Sequence, residues 1–493
     1  MRASGVLMHI SSLPSDFGIG TLGKYAYEFV DRLKESSQTY WQILPLCPTS
    51  FGASPYQSFS TFAGNPFFID LDILCEQGYL AKEDYQNINW SDSDTMVDYE
   101  RLEEKRNEVF GLVYKNFLKR VPSAFYAFCE KKAWWLDDFA LFMAIKDSFG
   151  GISFEKWDSD IKKRQKSVLE QYKQKLKNEV IYYKMLQFFF FEQWGKLKKY
   201  ANENGIKIIG DLPIYVALDS ADVWSNPKQF YLDKNFSPVE VAGCPPDGFS
   251  PTGQLWGNPL YNWKNMKLDG YSWWLNRMRE SLEMCDVVRI DHFRGFDSYY
   301  CIPAGDKTAE NGKWRKGPGM DFFNTLQQTL GEMPLIAEDL GFLTDSVIKL
   351  LKDSGYPGMK VLQFAFNPGD DNVYLPHNHI KNCVVYTGTH DNNTINGWVK
   401  EQNDYNLSYV KSYINYNENK PFHWAFMGAA LASVADTAIV TMQDILGLDE
   451  QARMNTPSTL GGNWAWRAKK EDLKEENFRI LKEYTHLYYR NSK

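Results

Sequence analysis

The sequence lacks three features that would place it in a membrane or an oxidising compartment. No run of 18 apolar residues occurs in its 493 residues, which argues against a membrane-spanning helix. The N-terminus has no basic region followed by an apolar segment, and residues 4–13 instead suggest a first strand. The seven cysteines are odd in number, scattered and without paired spacing, which is typical of reduced thiols. We therefore expect a cytoplasmic protein with no membrane partner.

The sequence also has fewer basic than acidic residues. The chain has 55 Lys and Arg against 62 Asp and Glu, a formal net charge of −7 and a pI near 5.7. This balance argues against a nucleic-acid partner. The basic residues between 162 and 177 are interleaved with acidic ones, so we interpret them as a solvated helix face rather than a polyanion site.

Aromatic residues, by contrast, are abundant. The chain has 16 Trp, 29 Tyr and 32 Phe, which together make 16% of its residues. Flat rings with polar edges are surfaces on which sugars stack, although such rings also fill large cores. Trp and Tyr that lie among Gly, Asn and Asp in loops are harder to assign to packing, so those positions favour a binding role.

Eight short segments rich in apolar and β-branched residues predict strands. They are residues 5–10, 40–46, 206–216, 287–291, 334–341, 359–366, 383–393 and 437–444. Between the first two, residues 24–34 predict an amphipathic helix with Ala26, Phe29, Val30 and Leu33 on one face. Alternation of strand and helix predicts a parallel sheet, and eight is the number of strands that closes a (β/α)8 TIM barrel.

We expect one catalytic barrel over residues 1–493 with two additions. Residues 76–200 are charged and helical in period, which predicts a helical insertion; it could cover a substrate groove or bind a partner, and the sequence favours neither. Residues 243–263 are rich in Gly and Pro yet carry aromatic rings. We interpret them as a loop without helix or strand that forms an aromatic lid.

Polar side chains gather where the predicted strands end. Asp211 ends one strand, and three others end in Arg289 with Asp291 and His292, in Glu338 with Asp339, and in His390 with Asp391. The C-terminal ends of barrel strands meet at one mouth, where active sites lie. Four strands that each bring a carboxylate are hard to explain by stability alone, because clustered like charges repel.

The segment around Asp291 shows how such a site could be built. Strand side chains alternate, so Val287, Arg289 and Asp291 point one way. Arg289 would favour the charged form of Asp291, as a nucleophile needs, but this stretch alone favours a structural ion pair that caps the strand. Glu338 follows three apolar residues with no adjacent base, so we expect its pKa to be raised toward the role of an acid.

Two kinds of chemistry use carboxylates clustered at a barrel mouth. A divalent metal would recruit His292, His390 and the carboxylates as ligands. Glycosyl chemistry needs one ionised carboxylate, one that can be protonated, and groups that bind sugar hydroxyls. His377 and His379 lie in a Pro/Asn loop and are predicted to be exposed to solvent rather than to bind metal. The aromatic residues 245–263 favour the glycosyl interpretation.

Several of these segments together resemble the 4-α-glucanotransferases, or amylomaltases, of glycoside hydrolase family 77 in the α-amylase clan. The resemblance runs from HISSLP at residues 9–14 to GNWAWR at 462–467 and includes the loop at 245–259. Its other motifs are GDLPIYV at 210–216, RIDHFRG at 289–295, AEDLG at 337–341 and GTHDN at 388–392. The resemblance implies a TIM barrel that transfers glucan segments.

The resemblance also implies roles for individual residues. Asp291 would be the nucleophile, Glu338 the general acid/base, and Asp391 the carboxylate that stabilises the transition state. Arg289 would orient Asp291; Asp211, His292 and His390 would bind sugar hydroxyls; Trp256 would lie in the lid and Tyr56 near a bound glucan. Leu212 and Pro213 stand where α-amylases usually carry Asn and His, which weakens any inference of an amylase-type calcium site.

The mechanism implied is a retaining double displacement without a metal or other cofactor. The expected partners are malto-oligosaccharides, amylose or other α-1,4-glucans and glucose, and the expected assembly is a monomer or homodimer. Two alternatives stay open: a retaining α-glucan hydrolase and a catalytically silent carbohydrate-binding protein.

Overall fold

The computed structural model describes residues 2–246, 250–341, 343–459 and 461–491. Within these ranges the chain forms twelve strands: β1 Ala3–Leu7, β2 Tyr40–Gln42, β3 Lys207–Leu212, β4 Glu240–Cys244, β5 Gln254–Pro259, β6 Val287–Ile290, β7 Ser298–Pro303, β8 Lys313–Lys316, β9 Leu335–Ala337, β10 Gly358–Val361, β11 Cys383–Tyr386 and β12 Thr437–Thr441.

The same ranges contain seventeen α-helices. They are α1 Lys24–Glu35, α2 Leu71–Glu76, α3 Tyr99–Lys119, α4 Ser123–Ser148, α5 Ser159–Lys162, α6 Lys166–Lys175, α7 Lys177–Glu203, α8 Ala221–Ser225, α9 Trp263–Leu268, α10 Ser272–Met284, α11 Met320–Leu330, α12 Asp345–Ser354, α13 Ile395–Glu401, α14 Asp404–Tyr413, α15 Phe422–Ala432, α16 Met442–Ile445 and α17 Glu475–Leu487. None of these helices is long and apolar enough to cross a bilayer.

Eight parallel strands form the barrel, in the order β10-β11-β12-β1-β2-β3-β6-β9. The sheet closes between β9 and β10, where the Ala337 N–H donates to the Pro357 carbonyl at 2.9 Å. All eight predicted strands and the TIM-barrel class are confirmed. Most of the observed strands are shorter than predicted, because their last residues leave the ladder to line the mouth.

Each barrel strand sends alternate side chains into the interior and outward onto the helices. A small cluster fills the interior, and it consists of Leu7, Ile209, Ile336, Met359, Val361, Val384, Tyr386 and Ile439. Val288 and Ile290 belong instead to the larger cluster under the surrounding helices. Because Val287 packs against the interior cluster, strand alternation also places Arg289 inside the barrel.

Residues 71–203 of the described chain hold helices α2 to α7 between two barrel strands. Their aromatic rings pack into one another and onto the barrel: the Phe117 and Phe189 rings lie 5.8 Å apart, as do those of Phe125 and Phe188. The predicted helix over residues 24–34 is confirmed as α1, which buries Ala26, Phe29, Val30 and Leu33.

The aromatic segment 243–263 contains β5, so the prediction that it forms no helix or strand is wrong. β5 pairs with β4 in a four-stranded antiparallel sheet, ordered β5-β4-β7-β8, and carries Trp256. β5 pairs with Val241 before the segment and with Gly243 and Cys244 at its start. The Gly and Pro content between the two strands concealed this pairing. Asp247, Gly248 and Phe249, also part of the expected lid, lie outside the described residues.

The helical insertion shares the barrel's core, which makes its packing testable. Phe190 of α7 is fully buried, and a Cβ placed at Gly64 would lie 1.9 Å from its ring. We expect Phe190→Ala to lower the free energy of unfolding by about 3–5 kcal/mol, as for other buried Phe residues. The half-exposed Leu118→Ala should change it by less than about 0.5 kcal/mol. Equal denaturation curves for the two variants would contradict this packing.

Candidate active site

A buried guanidinium lies at the centre of the site. Asp211 and Arg289 are register partners on the adjacent strands β3 and β6. Arg289 Nη1 donates to both carboxylate oxygens of Asp211 at 2.7 Å, and its Nη2 lies 3.0 Å from Asp291 Oδ1. The side chains of Arg289 and Asp211 are 4% and 0% exposed, so this ion pair is shielded from solvent below the mouth.

Asp211 acts through its neighbours in this structure. Because its side chain has no exposed area, the predicted contact with a sugar hydroxyl stays a prediction. Its Oδ2 accepts a 2.7 Å hydrogen bond from the Tyr56 hydroxyl, which also lies 2.9 Å from His390 Nε2. The rings of Tyr56 and His390 stack at 5.2 Å. Asp211 therefore joins Arg289 on one strand to the Tyr56–His390 pair on the other side of the mouth.

Asp291 keeps 29% of its side chain exposed, so it is accessible at the mouth. Burial raises its pKa, the Arg289 guanidinium lowers it, and the charges of Asp211 and Asp391 raise it again. The net shift is upward. Arg289 favours the charged form of Asp291, as predicted, but the desolvation of the carboxylate outweighs this interaction.

Glu338 has both carboxylate oxygens fixed by backbone donors. The His292 N–H donates to Oε2 at 2.7 Å and the Leu340 N–H to Oε1 at 2.8 Å. Burial and the charge of Asp291 raise the pKa of Glu338 more than Arg289 and the two N–H groups lower it. The predicted raised pKa is confirmed. The pKa of Glu338 lies above that of Asp291, because Asp291 contacts Arg289 directly.

His292 follows Asp291 in an unusual backbone conformation. Its φ of 53° and ψ of 50° lie in the left-handed region, and its N–H is the one that Glu338 binds. Burial, aided by Arg294, lowers its pKa to about 4, so the imidazole is neutral. Its buried Nε2 has no hydrogen-bond partner among the described residues, and its ring packs edge-on against Trp256 at 4.9 Å. An unpaired imidazole nitrogen beside an aromatic ring suits a sugar hydroxyl.

Asp391 carries the lowest pKa of the three predicted catalytic carboxylates. Burial raises its pKa, but His390 Nε2 at 3.2 Å and the Asn455 amide at 2.6 Å lower it to about 2. Its side chain is 43% exposed. Burial opposes the charging of His390, yet the adjacent Asp391 raises the pKa of the imidazole above its ordinary value. Asp391 is therefore ionised at neutral pH, and it favours the charged form of the adjacent imidazole.

Three other polar residues named from the sequence lie outside this group. Asp339, although adjacent to Glu338, accepts a 2.6 Å hydrogen bond from the Met359 N–H and is buried. His377 is exposed as predicted, but the prediction for His379 is wrong: it is 7% exposed and its Nε2 lies 2.9 Å from the Tyr374 carbonyl. No group of three or more His, Cys, Asp or Glu side chains among the described residues is arranged to hold a metal.

Sequence reasoning missed several residues that support the site. Asn455 donates to Asp391, and Arg453 donates from Nη2 to the Asp391 carbonyl at 2.6 Å. Trp464 packs 5.6 Å from the Tyr56 ring, and Met359 lies 3.3 Å from Arg289 Nε. Trp464 lies in the GNWAWR motif, which could have drawn attention to it. The pattern around Asn455 gives no such signal, because its partner is 64 residues away in the chain.

The chain is similar to known proteins in both sequence and structure. The family model described as 4-alpha-glucanotransferase matches residues 8–473. The 4-alpha-glucanotransferase of Clostridium butyricum is 49% identical over 489 residues, covering 98% of this chain and all of that protein. The amylomaltase of Streptococcus agalactiae, solved in complex with acarbose, is 45% identical with a TM-score of 0.98, and the match covers both chains fully.

The two raised carboxyl pKa values predict the pH dependence of glycosyl cleavage. Asp291 must be ionised to attack and Glu338 protonated to donate, so kcat/KM should fall below the pKa of Asp291 and above that of Glu338. Because both pKa values are raised, the acidic limb should lie above the ordinary carboxyl range. Residual activity of Glu338→Gln should lose the basic limb, while the exposed Glu332→Gln keeps both. An acidic limb near pH 4 would contradict this assignment.

Asn455 is expected to be a positioning residue for Asp391. A hydrogen bond to a charged group contributes about 1.5–3 kcal/mol, so Asn455→Ala should lower kcat/KM by roughly 10- to 150-fold. The pKa of Asp391 should also rise, but from about 2 it stays below the acidic limb set by Asp291, so the pH profile should keep its position while its height falls. The exposed Asn419→Ala is the matched control. Loss of activity together with loss of the folded state would mean a structural role instead, so melting curves accompany the kinetics.

Proposed function

This chain belongs to the 4-alpha-glucanotransferase family, and we propose that Asp291, Glu338 and Asp391 carry out its reaction. A 4-alpha-glucanotransferase moves a segment of a 1,4-α-glucan to the 4-hydroxyl of glucose or of another glucan. The observation that supports these residues most directly is the contrast between their environments at one mouth. Arg289 contacts Asp291, two backbone N–H groups hold Glu338, and His390 with Asn455 keeps Asp391 ionised.

In the first step Asp291 attacks the anomeric carbon while Glu338 protonates the leaving glycosidic oxygen. The bond to the reducing-end segment breaks, and a β-glucosyl ester forms on Asp291. Esterification removes the charge of Asp291, which is one of the groups that raise the pKa of Glu338. Glu338 therefore becomes a stronger acid as its own proton leaves, and it remains ionised as a base for the second step.

In the second step Glu338 takes the proton of an acceptor 4-hydroxyl, whose oxygen attacks the anomeric carbon and releases Asp291. The configuration at that carbon is retained. Water competes at about 55 M, so transfer requires an acceptor that is bound and aligned. Trp256 on β5 and the unpaired Nε2 of His292 are suited to that task, with Tyr56 and His390 on the opposite side.

The expected substrates are malto-oligosaccharides and longer α-1,4-glucans. Acarbose, the ligand of the Streptococcus agalactiae amylomaltase, is an oligosaccharide, which supports this class of substrate. The double displacement uses only the carboxylates and needs no metal or other cofactor. We also propose a cytoplasmic location, since none of the seven cysteines, all within the described ranges, is joined in a disulfide. A monomer or homodimer is the expected assembly.

Incubation with maltotriose alone tests both the reaction and the nucleophile. The wild type should release glucose together with maltopentaose and longer chains, with no change in a chelator. Asp291→Asn should lose at least about three orders of magnitude in this activity but keep glucan binding, while the exposed Asp353→Asn stays active.

Two outcomes would contradict the proposal. If wild-type products were only glucose and maltose with rising reducing ends, water would be the acceptor and the enzyme a hydrolase. If Asp291→Asn kept its turnover, another residue would be the nucleophile.

A further inference from the structure

The outer surface of the barrel carries a cavity of about 650 Å³ between the ends of α14, α15 and α17. Fifteen described residues line it, and none of them belongs to the candidate active site. Its floor is α15 and its walls are three tyrosine rings, Tyr413, Tyr484 and Tyr488. The reaction described above gives this cavity no role.

The floor is unusual for an accessible helix face. α15 is apolar on all sides, as expected of a buried helix, yet the face toward the cavity consists of Ala425, Gly428, Ala429 and Ala432. A Cβ placed at Gly428 would lie 3.0 Å from the Tyr484 ring and 3.5 Å from the Tyr488 hydroxyl. The Tyr484 ring therefore packs directly on Gly428, and the accessible part of this face is formed by Ala425, Ala429 and Ala432, whose short side chains leave room for a ligand to lie along the helix.

The walls are held in place by packing behind them. The Tyr484 ring lies 5.4 Å from Trp424 and 6.2 Å from Tyr488. On the opposite side the Tyr413 ring lies 5.4 Å from Phe366, and its hydroxyl is 2.8 Å from His377 Nδ1. Rings fixed in this way lose little conformational entropy when a ligand stacks on them.

The rim of the cavity is polar but almost uncharged. It carries His377, Asn415, Asn417 and Lys420, and among the described residues no carboxylate lines the cavity. The Lys420 ammonium lies 5.9 Å above the Tyr484 ring. Amide and imidazole groups around aromatic faces suit a ligand with many hydroxyls, and a rim without a lining carboxylate argues against a cation.

Ser433, at the C-terminal end of α15, adds an independent observation. It lines the cavity and is 95% buried, and its hydroxyl has no hydrogen-bond partner among the described residues. An unsatisfied buried hydroxyl costs free energy, and it needs an explanation when it borders an open cavity. A hydroxylated ligand would supply the missing partner.

We propose that this cavity is a second glucan-binding site, which we call the α15 groove, and that it holds a distant part of the chain being transferred. This inference takes the glucan substrate from the proposed function. A polymer of identical glucosyl units can occupy two sites on one enzyme, so binding at the groove raises the effective concentration of the rest of the chain at the mouth. Only chains long enough to reach both sites gain from it.

The test compares long and short donors in variants of the groove. Ala432→Trp fills the groove from an exposed position, and Tyr484→Ala removes one wall. Both should raise KM for amylose at least about fivefold, with kcat for amylose and all kinetic constants for maltotriose equal to those of the wild type. Tyr405→Ala removes an exposed tyrosine of α14 outside the groove and should change neither donor.

A binding measurement makes the result independent of turnover. Calorimetric titration of maltoheptaose into Asp291→Asn should show two sites, and adding Ala432→Trp should leave one. A single site in both proteins together with an unchanged KM for amylose would contradict glucan binding at the α15 groove. A change of oligomeric state in Ala432→Trp without a change in KM would contradict it as well. Transfer between maltotriose molecules would continue in each of these cases, so the proposed function would stand.

Discussion

The buried guanidinium of Arg289 is the constraint on which the geometry of the mouth depends. A cation removed from water needs counter-charges nearby, and here Asp211 and Asp291 supply them from two strands. Strand alternation puts Arg289 inside the barrel, and register puts Asp211 opposite it. Asp211 in turn holds Tyr56, which holds His390. One buried charge thus ties together residues that are more than 300 positions apart in the chain.

The same charges give three chemically similar carboxylates different pKa values. Asp391 faces an imidazole and an amide, and its pKa falls to about 2, while burial raises the pKa of Asp291 and raises that of Glu338 further. Asp291 and Glu338 influence each other, so each proton or bond that one gains changes the affinity of the other for a proton. Environment rather than residue type assigns the roles, as in other paired carboxylate sites.

The fold and the three carboxylates were accessible from the sequence because both depend on local patterns. Strands such as Val287–Ile290 are recognisable from their apolar, β-branched runs, and the polar residues at their ends indicate the mouth of the barrel. Contacts between distant segments were not accessible. Asn455 and Trp464 reach the site only through the closure of the chain. The strand β5 was missed for a different reason, because Gly and Pro residues separate it from its neighbour β4.

The net shift in the pKa of Asp291 was not accessible from the sequence for a related reason. The sign of this shift depends on how much water the folded chain removes from the carboxylate. An alternating sequence pattern predicts which side chains are neighbours, but it does not predict how deeply they are buried. His379 was misjudged in the same way: a Pro/Asn loop indicates an irregular backbone but does not show that the loop folds back over this imidazole. Sequence patterns therefore identified the polar groups that meet at the mouth, whereas the balance of charge and solvent around them required the packed chain.

The seam of the barrel between β9 and β10 is bonded through residues next to the carboxylate and the guanidinium of the mouth. The Pro357 carbonyl accepts a hydrogen bond from the Ala337 N–H, and the Asp339 carboxylate accepts one from the Met359 N–H across this seam. Asp339 directly follows Glu338, and Met359 also contacts Arg289. This pairing joins the two edge strands of an otherwise continuous eight-stranded sheet. The junction of β9 and β10 is thus bonded through the residue that follows Glu338, so a change that loosens this junction would disturb Glu338 and Arg289 together.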